Sequence, residues 1–73
     1  MNRCAEYQKL ASKVDEILKQ LVEATTHQLE IFRSKQMAEF MRVDKEIELL
    51  LGEKERSIGG MRQHAAEHDC QPR

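Results

Sequence analysis

The sequence predicts an all-α fold: an antiparallel helical hairpin that dimerises into a four-helix bundle. Three observations carry this. From Cys4 to Leu51 the chain has neither glycine nor proline. Apolar residues recur in steps of three and four through both halves. The two halves keep different phases, so the chain has a natural place to turn.

The first helix is expected over about 4–32. Tyr7, Leu10, Val14, Ile17, Leu21 and Ala24 follow helical spacing, and Cys4, Ala11, Leu18, Thr25 and Phe32 form a column beside them. Val22 and Leu29 add a third flank. The arc these columns cover is about 150°, wider than a two-helix seam needs.

The second helix is expected over about 35–68. Its frame runs Met37, Phe40, Asp44, Ile47, Leu51, Lys54, Ile58, Met61, Ala65 and His68, thickened by Val43 and Leu50. Extending the first frame from Ile31 by four and then three reaches Lys35 and Ala38, whereas the apolar residues stand at Met37 and Phe40. The phase therefore changes near 32–37, with Ser34 as the expected N-cap of the second helix.

A turn at that point gives the hairpin. The alternative is one long coiled-coil helix, carried past the phase change by a stutter, about 70 Å long and followed by a short C-terminal helix. "FRSKQ" (32–36) contains no Gly, Pro, Asn or Asp, which weighs against a turn. Thr25 and Thr26 are poor helix formers, and so long a helix is unusual, which weighs against the rod. Stripe width favours the hairpin. "LLL" (49–51) places leucines on three sides, so each helix needs more than one neighbour, and a dimer supplies them.

The whole chain, 1–73, reads as one small helical domain with a tail at 69–73. Gly52 and Gly59 share a helix face nearly opposite the Ile47/Met61 stripe, poorly placed for close helix approach. Each costs a helix interior about 1 kcal/mol relative to alanine. The second helix is accordingly either soft there or interrupted at 52 or 59–60.

Seventy-three residues fall in the size range where one core seldom supplies more than about 3–5 kcal/mol, and a disulfide, metal or partner is usual. Twelve Lys+Arg against thirteen Asp+Glu leave a net charge of −1, with alternating signs. That is a solvated helix face without the basic stripe that nucleic acid requires. No segment has the roughly 20 apolar residues of a membrane span, and no signal peptide is expected. "CQPR" at the end lacks the aliphatic residues of a prenylation site. The expectation is a cytoplasmic protein.

"HAAEHDC" (64–70) raises the question of a metal. His64 and His68 lie one turn apart and share a side, as histidine pairs in zinc sites do. A hairpin folded near residue 37 sets Cys4 opposite Cys70. Cys4, His64, His68 and Cys70 then form a candidate tetrahedral zinc site at the open end. The same pairing offers a Cys4–Cys70 disulfide, which across so long a loop contributes about 4 kcal/mol. The blander expectation, that no cofactor binds, outweighs both, because histidine suits a helix C-terminus and free cysteine is a common small core residue. A short helical chain also offers few loops from which to build a catalytic pocket, so no enzyme activity is expected.

"MRQHAAEHDC", following "GEKERSIGG", resembles the ends of small bacterial proteins that finish in H-x-x-x-H-x-C. Asp69 stands where such tails often carry glycine. The resemblance implies a helical hairpin and attaches no activity.

The function these residues point to is a non-catalytic self-association or protein-interaction module, a homodimer in the first instance. Its interface is expected at Leu18, Val22, Leu29 and Phe32 of the first helix. Phe40, Ile47, Leu49 and Leu50 are the expected contribution of the second. Met37, Met41 and Met61 read as core. The alternative is a zinc- or redox-responsive hairpin clamped at its open end by cysteines and histidines.

Overall fold

The computed structural model describes residues 4–68, the side chain of His68 excepted. Helix α1 spans Cys4–Arg33 and helix α2 spans Met37–His68, and the two pack along their lengths as an antiparallel hairpin. The molecule measures 51 × 17 × 15 Å, as expected for two helices of about 45 Å lying side by side.

Residues 34–36 make the turn chiefly through backbone hydrogen bonds. The Gln36 N–H donates to the Ile31 carbonyl and the Lys35 N–H to that of Phe32. This 6→1 and 5→2 pair is a Schellman motif with Lys35 at the left-handed position. Lys35 has φ 62°, a conformation that costs a non-glycine residue about 1–2 kcal/mol. The turn is thus made where no turn-forming residue announces it.

Ser34 is not the N-cap of α2. Its hydroxyl donates back to the Glu30 carbonyl and so closes α1. The first α2 bond runs from the Phe40 N–H to the Gln36 carbonyl, which puts Gln36 at the cap position. The left-handed Lys35 ends one helix and delays the next, so α2 begins at Met37.

On α1 the inward seam is Tyr7, Leu10, Val14, Ile17, Leu21, Ala24, Gln28 and Ile31, all buried or half-buried. On α2 it is Phe40, Val43, Ile47, Leu50, Lys54, Ser57, Met61 and His64. Both keep alternating steps of three and four, the repeat of a left-handed coiled coil. Tyr7, Ile17, Ile31 and Val43 form the buried apolar core, each worth about 1.5–3 kcal/mol of burial.

The α2 seam corrects the expected frame. The deepest row is Val43 and Ser57, one residue before the Asp44 and Ile58 of that frame, while Leu51 and Met37 are 41% and 52% exposed. A 3.6-residue helix moves the inward position by only part of a residue per turn, so two adjacent columns fit the pattern equally. Burial of a serine decides between them, and apolar periodicity does not see it.

Cross-helix contacts fix the register. The rings of Phe32 and Phe40 lie 5.6 Å apart, and the Gln28 amide donates to the Asp44 carboxylate at 3.1 Å. Helix α2 runs unbroken through all three glycines. Gly59 has open space around it, and Gly52 meets only Arg56 of its own helix. Gly60 differs: a Cβ there would lie 3.0 Å from Leu10 Cδ1. This is the close approach the glycines provide, made by the one outside the Gly52/Gly59 face.

Candidate interaction surface

Each seam residue has a neighbour on either side in sequence, and at 100° per residue these point to opposite broad faces of the hairpin. On α1 the residues one before the seam are Glu6, Lys9, Lys13, Glu16, Gln20, Glu23, His27 and Glu30, all exposed and all polar. Those one after it include Leu18, Val22, Thr25, Leu29 and Phe32, also exposed. In an antiparallel pair the following residues of both helices emerge on the same side. Met41 and Leu51 follow Phe40 and Leu50 and therefore extend the α1 stripe, and Met37 adjoins it at the turn.

The hairpin consequently has a charged face and an apolar face. Seven of the eight large exposed hydrophobics (Leu18, Val22, Leu29, Phe32, Met37, Met41 and Leu51) lie on the apolar side. Leu49, which precedes Leu50, lies on the charged side and is 65% exposed. The apolar residues gather in the half nearer the turn. On α2 the same face also carries Asp44 and Glu48, between Met41 and Leu51, and towards the open end it carries Gln8, Asp15, Glu55 and Arg62.

Thr25 sits in the middle of the stripe without adding an unsatisfied polar group. Its hydroxyl donates to the Leu21 carbonyl of its own helix at 2.7 Å. A stripe of Leu, Val, Thr, Leu and Phe is therefore apolar along its whole length. At its ends stand Asp15 and Arg33. Asp15 bonds Lys19 at 3.1 Å across exposed surface. That hydrogen bond and the charge of Asp15, with Glu16 assisting, raise the Lys19 pKa above its ordinary value.

The eight expected interface residues separate under this geometry. Leu18, Val22, Leu29 and Phe32 are exposed on the apolar face, and Leu49 is exposed on the other. Phe40, Ile47 and Leu50 are half-buried in the seam between α1 and α2, where they hold the hairpin together. Met37 and Met41, read as core, are 52% and 60% exposed, while Met61 is half-buried in the seam. A leucine run sends one residue to each side and one inward, so counting its members does not locate a face.

The open end holds the other expected site. His64 is half-buried in the α2 seam, a position that helix packing accounts for. Cys4 is disulfide-bonded. Cys70 and the His68 side chain lie outside the described residues. Phe32 with Phe40 and Gln28 with Asp44 relate position i to 72 − i, two residues short of the pairing expected for a fold near residue 37. Carried to the open end, that register brings Cys4 level with the last turn of α2. Among the described residues no group of three or more His, Cys, Asp or Glu is placed to hold a metal ion. A disulfide-bonded cysteine also has no thiolate to offer one.

No helix among the described residues is long and apolar enough to cross a membrane. No protein-family profile matches the chain, and no similar curated protein or solved structure was found.

Proposed function

We propose that the protein is a small non-catalytic helical module that associates with itself, as a dimer of hairpins, through the apolar face of Leu18, Val22, Leu29, Phe32 and Met41. The observation that supports this is the difference between its two broad faces. One is charged along the whole of α1, and the other leaves a continuous hydrophobic stripe in water. Large apolar patches of this kind mark interaction sites, and a two-helix core alone is a thin source of stability. Sedimentation equilibrium of the untagged protein, from low-micromolar to submillimolar concentration, tests the proposal. A reversible monomer–dimer equilibrium is the expected result. A monomer throughout the range, still fully helical, sinks self-association and leaves a heterologous protein partner for the face.

The state of Cys4 favours a second role, as a redox-responsive hairpin. Cys70 is the only other cysteine in the sequence, and we infer that the two close the open end. The link constrains the unfolded chain and adds about 4 kcal/mol to stability. A reducing cytoplasm would remove it, so stability would follow redox state. Unreduced intact mass should fall short of the reduced chain by one pair of hydrogens, and reductant or Cys4→Ser should lower stability by about 4 kcal/mol. Full mass without reductant, together with zinc uptake in native mass spectrometry, rejects this in favour of the metal-clamped form.

A further inference from the structure

We infer that the apolar face is covered by α1 of a second copy of this chain, running antiparallel to the first α1, with the two-fold axis between Val22 and Thr25. This rests on the self-association reading and adds its geometry.

Charge selects the direction. The stripe from Leu18 to Phe32 is bounded by Asp15 at one end and Arg33 at the other. If two copies lay parallel, Asp15 would meet Asp15 and Arg33 would meet Arg33. Turned antiparallel about the stripe's midpoint, Leu18 comes level with Leu29 of the other copy. Asp15 then comes level with its Phe32, within reach of the neighbouring Arg33. Each end of the interface gains an opposite-charge pair, twice by symmetry.

The central residues suit an axis. Val22, the most exposed of the stripe's large apolar residues at 65%, has a small side chain that allows close approach. Thr25 beside it already has its hydroxyl bonded within the helix, so burial leaves nothing unpaired. Two-fold packing across α1 leaves each α2 on the outside of a four-helix arrangement, with Leu51 and Glu48 level with the centre and Met41 level with the end of the stripe at Ile31.

Sedimentation equilibrium of the full-length chain with a charge-swap series tests the geometry, circular dichroism confirming that each variant stays helical. Asp15→Arg and Arg33→Asp each place like charges at both ends and should weaken the dimer about tenfold. Combined, they restore opposite charges, and the dimer should return to within about threefold of the original. A double variant that loses about a hundredfold, the product of the singles, overturns the antiparallel α1 pairing while leaving a dimer of some other geometry. Single variants that dimerise as tightly as the original overturn it as well. A monomeric unsubstituted protein removes both this inference and the reading beneath it.

Discussion

Val22 and Leu49 are equally exposed, 65% each, and both are aliphatic, yet they sit in different surroundings. Around Val22 the neighbours at helical spacing are Leu18, Lys19, Thr25 and Thr26, with Leu29 beyond them, so Lys19 is the one charge. Around Leu49 they are Lys45, Glu46, Glu53 and Arg56, with Lys45 itself paired to Glu48. An isolated leucine among charges is an ordinary surface feature, because folded proteins cannot cover themselves with polar atoms alone. A run of apolar side chains with no charge among them is a different object. Exposure of a single residue therefore says little about function, and continuity along a face says more.

The contrast can be broken directly. Val22→Glu places a carboxylate on each side of the proposed axis, so the substitution acts twice in every dimer. Burying charge without a partner is costly, and association should weaken by at least about a thousandfold. Leu49→Glu adds the same charge to the opposite face and should change the dimer constant by less than about twofold. Because both positions are exposed, neither substitution should unfold the hairpin. Equal losses from the two variants would show that both faces associate, and the distinction between them would fall.

Much of the fold was legible in the residues. The steps of three and four from Tyr7 to Ala24 locate the α1 seam, and the phase change after Ile31 locates the turn. The turn's chemistry was hidden, because Lys35 takes a left-handed conformation that composition alone would assign to glycine or asparagine. The hairpin's many cross-helix contacts outweigh a local strain of about 1–2 kcal/mol. The α2 seam was harder still. Ser57 and His64 occupy inward positions without being apolar, so a hydrophobic pattern slides one residue towards Ile58 and Ala65, although it kept Lys54 in place.

The interface was legible on one helix only. Leu18, Val22, Leu29 and Phe32 stand out because α1 has more apolar columns than a single neighbour can cover. Phe40, Ile47 and Leu50 drew the same reading on α2, yet the structure spends them between the helices. The signal that separates the two sets is position relative to the seam. On α1, from Leu18 to Phe32, a residue one after an inward position joins the apolar face and one before it joins the charged face, whereas on α2 the following positions include Asp44 and Glu48 beside Met41 and Leu51. Applying this rule requires the α2 seam, which periodicity placed correctly at Phe40, Ile47, Lys54 and Met61 and one residue late at the positions between them.

The two adjacent glycines give the finest test, since they alter hairpin stability without touching the apolar stripe. Gly59 points into open space, so Gly59→Ala should recover the helix propensity lost to glycine and raise stability by up to about 1 kcal/mol. Gly60→Ala offers the same backbone gain, but its Cβ would lie 3.0 Å from Leu10 Cδ1. Leu10 is half-buried in the seam, so its side chain has limited room to yield, and repacking opposes the gain. Gly60→Ala should therefore fall short of Gly59→Ala in chemical denaturation, by about 0.5 kcal/mol or more. A Gly60→Ala variant as stable as Gly59→Ala would mean that the helices separate at little cost beside Leu10. Neither substitution alters the stripe from Leu18 to Phe32, so both should leave the dimer constant within about twofold. A large change in association from either would show that the open end, and not only the apolar half of the face, sets how two copies meet.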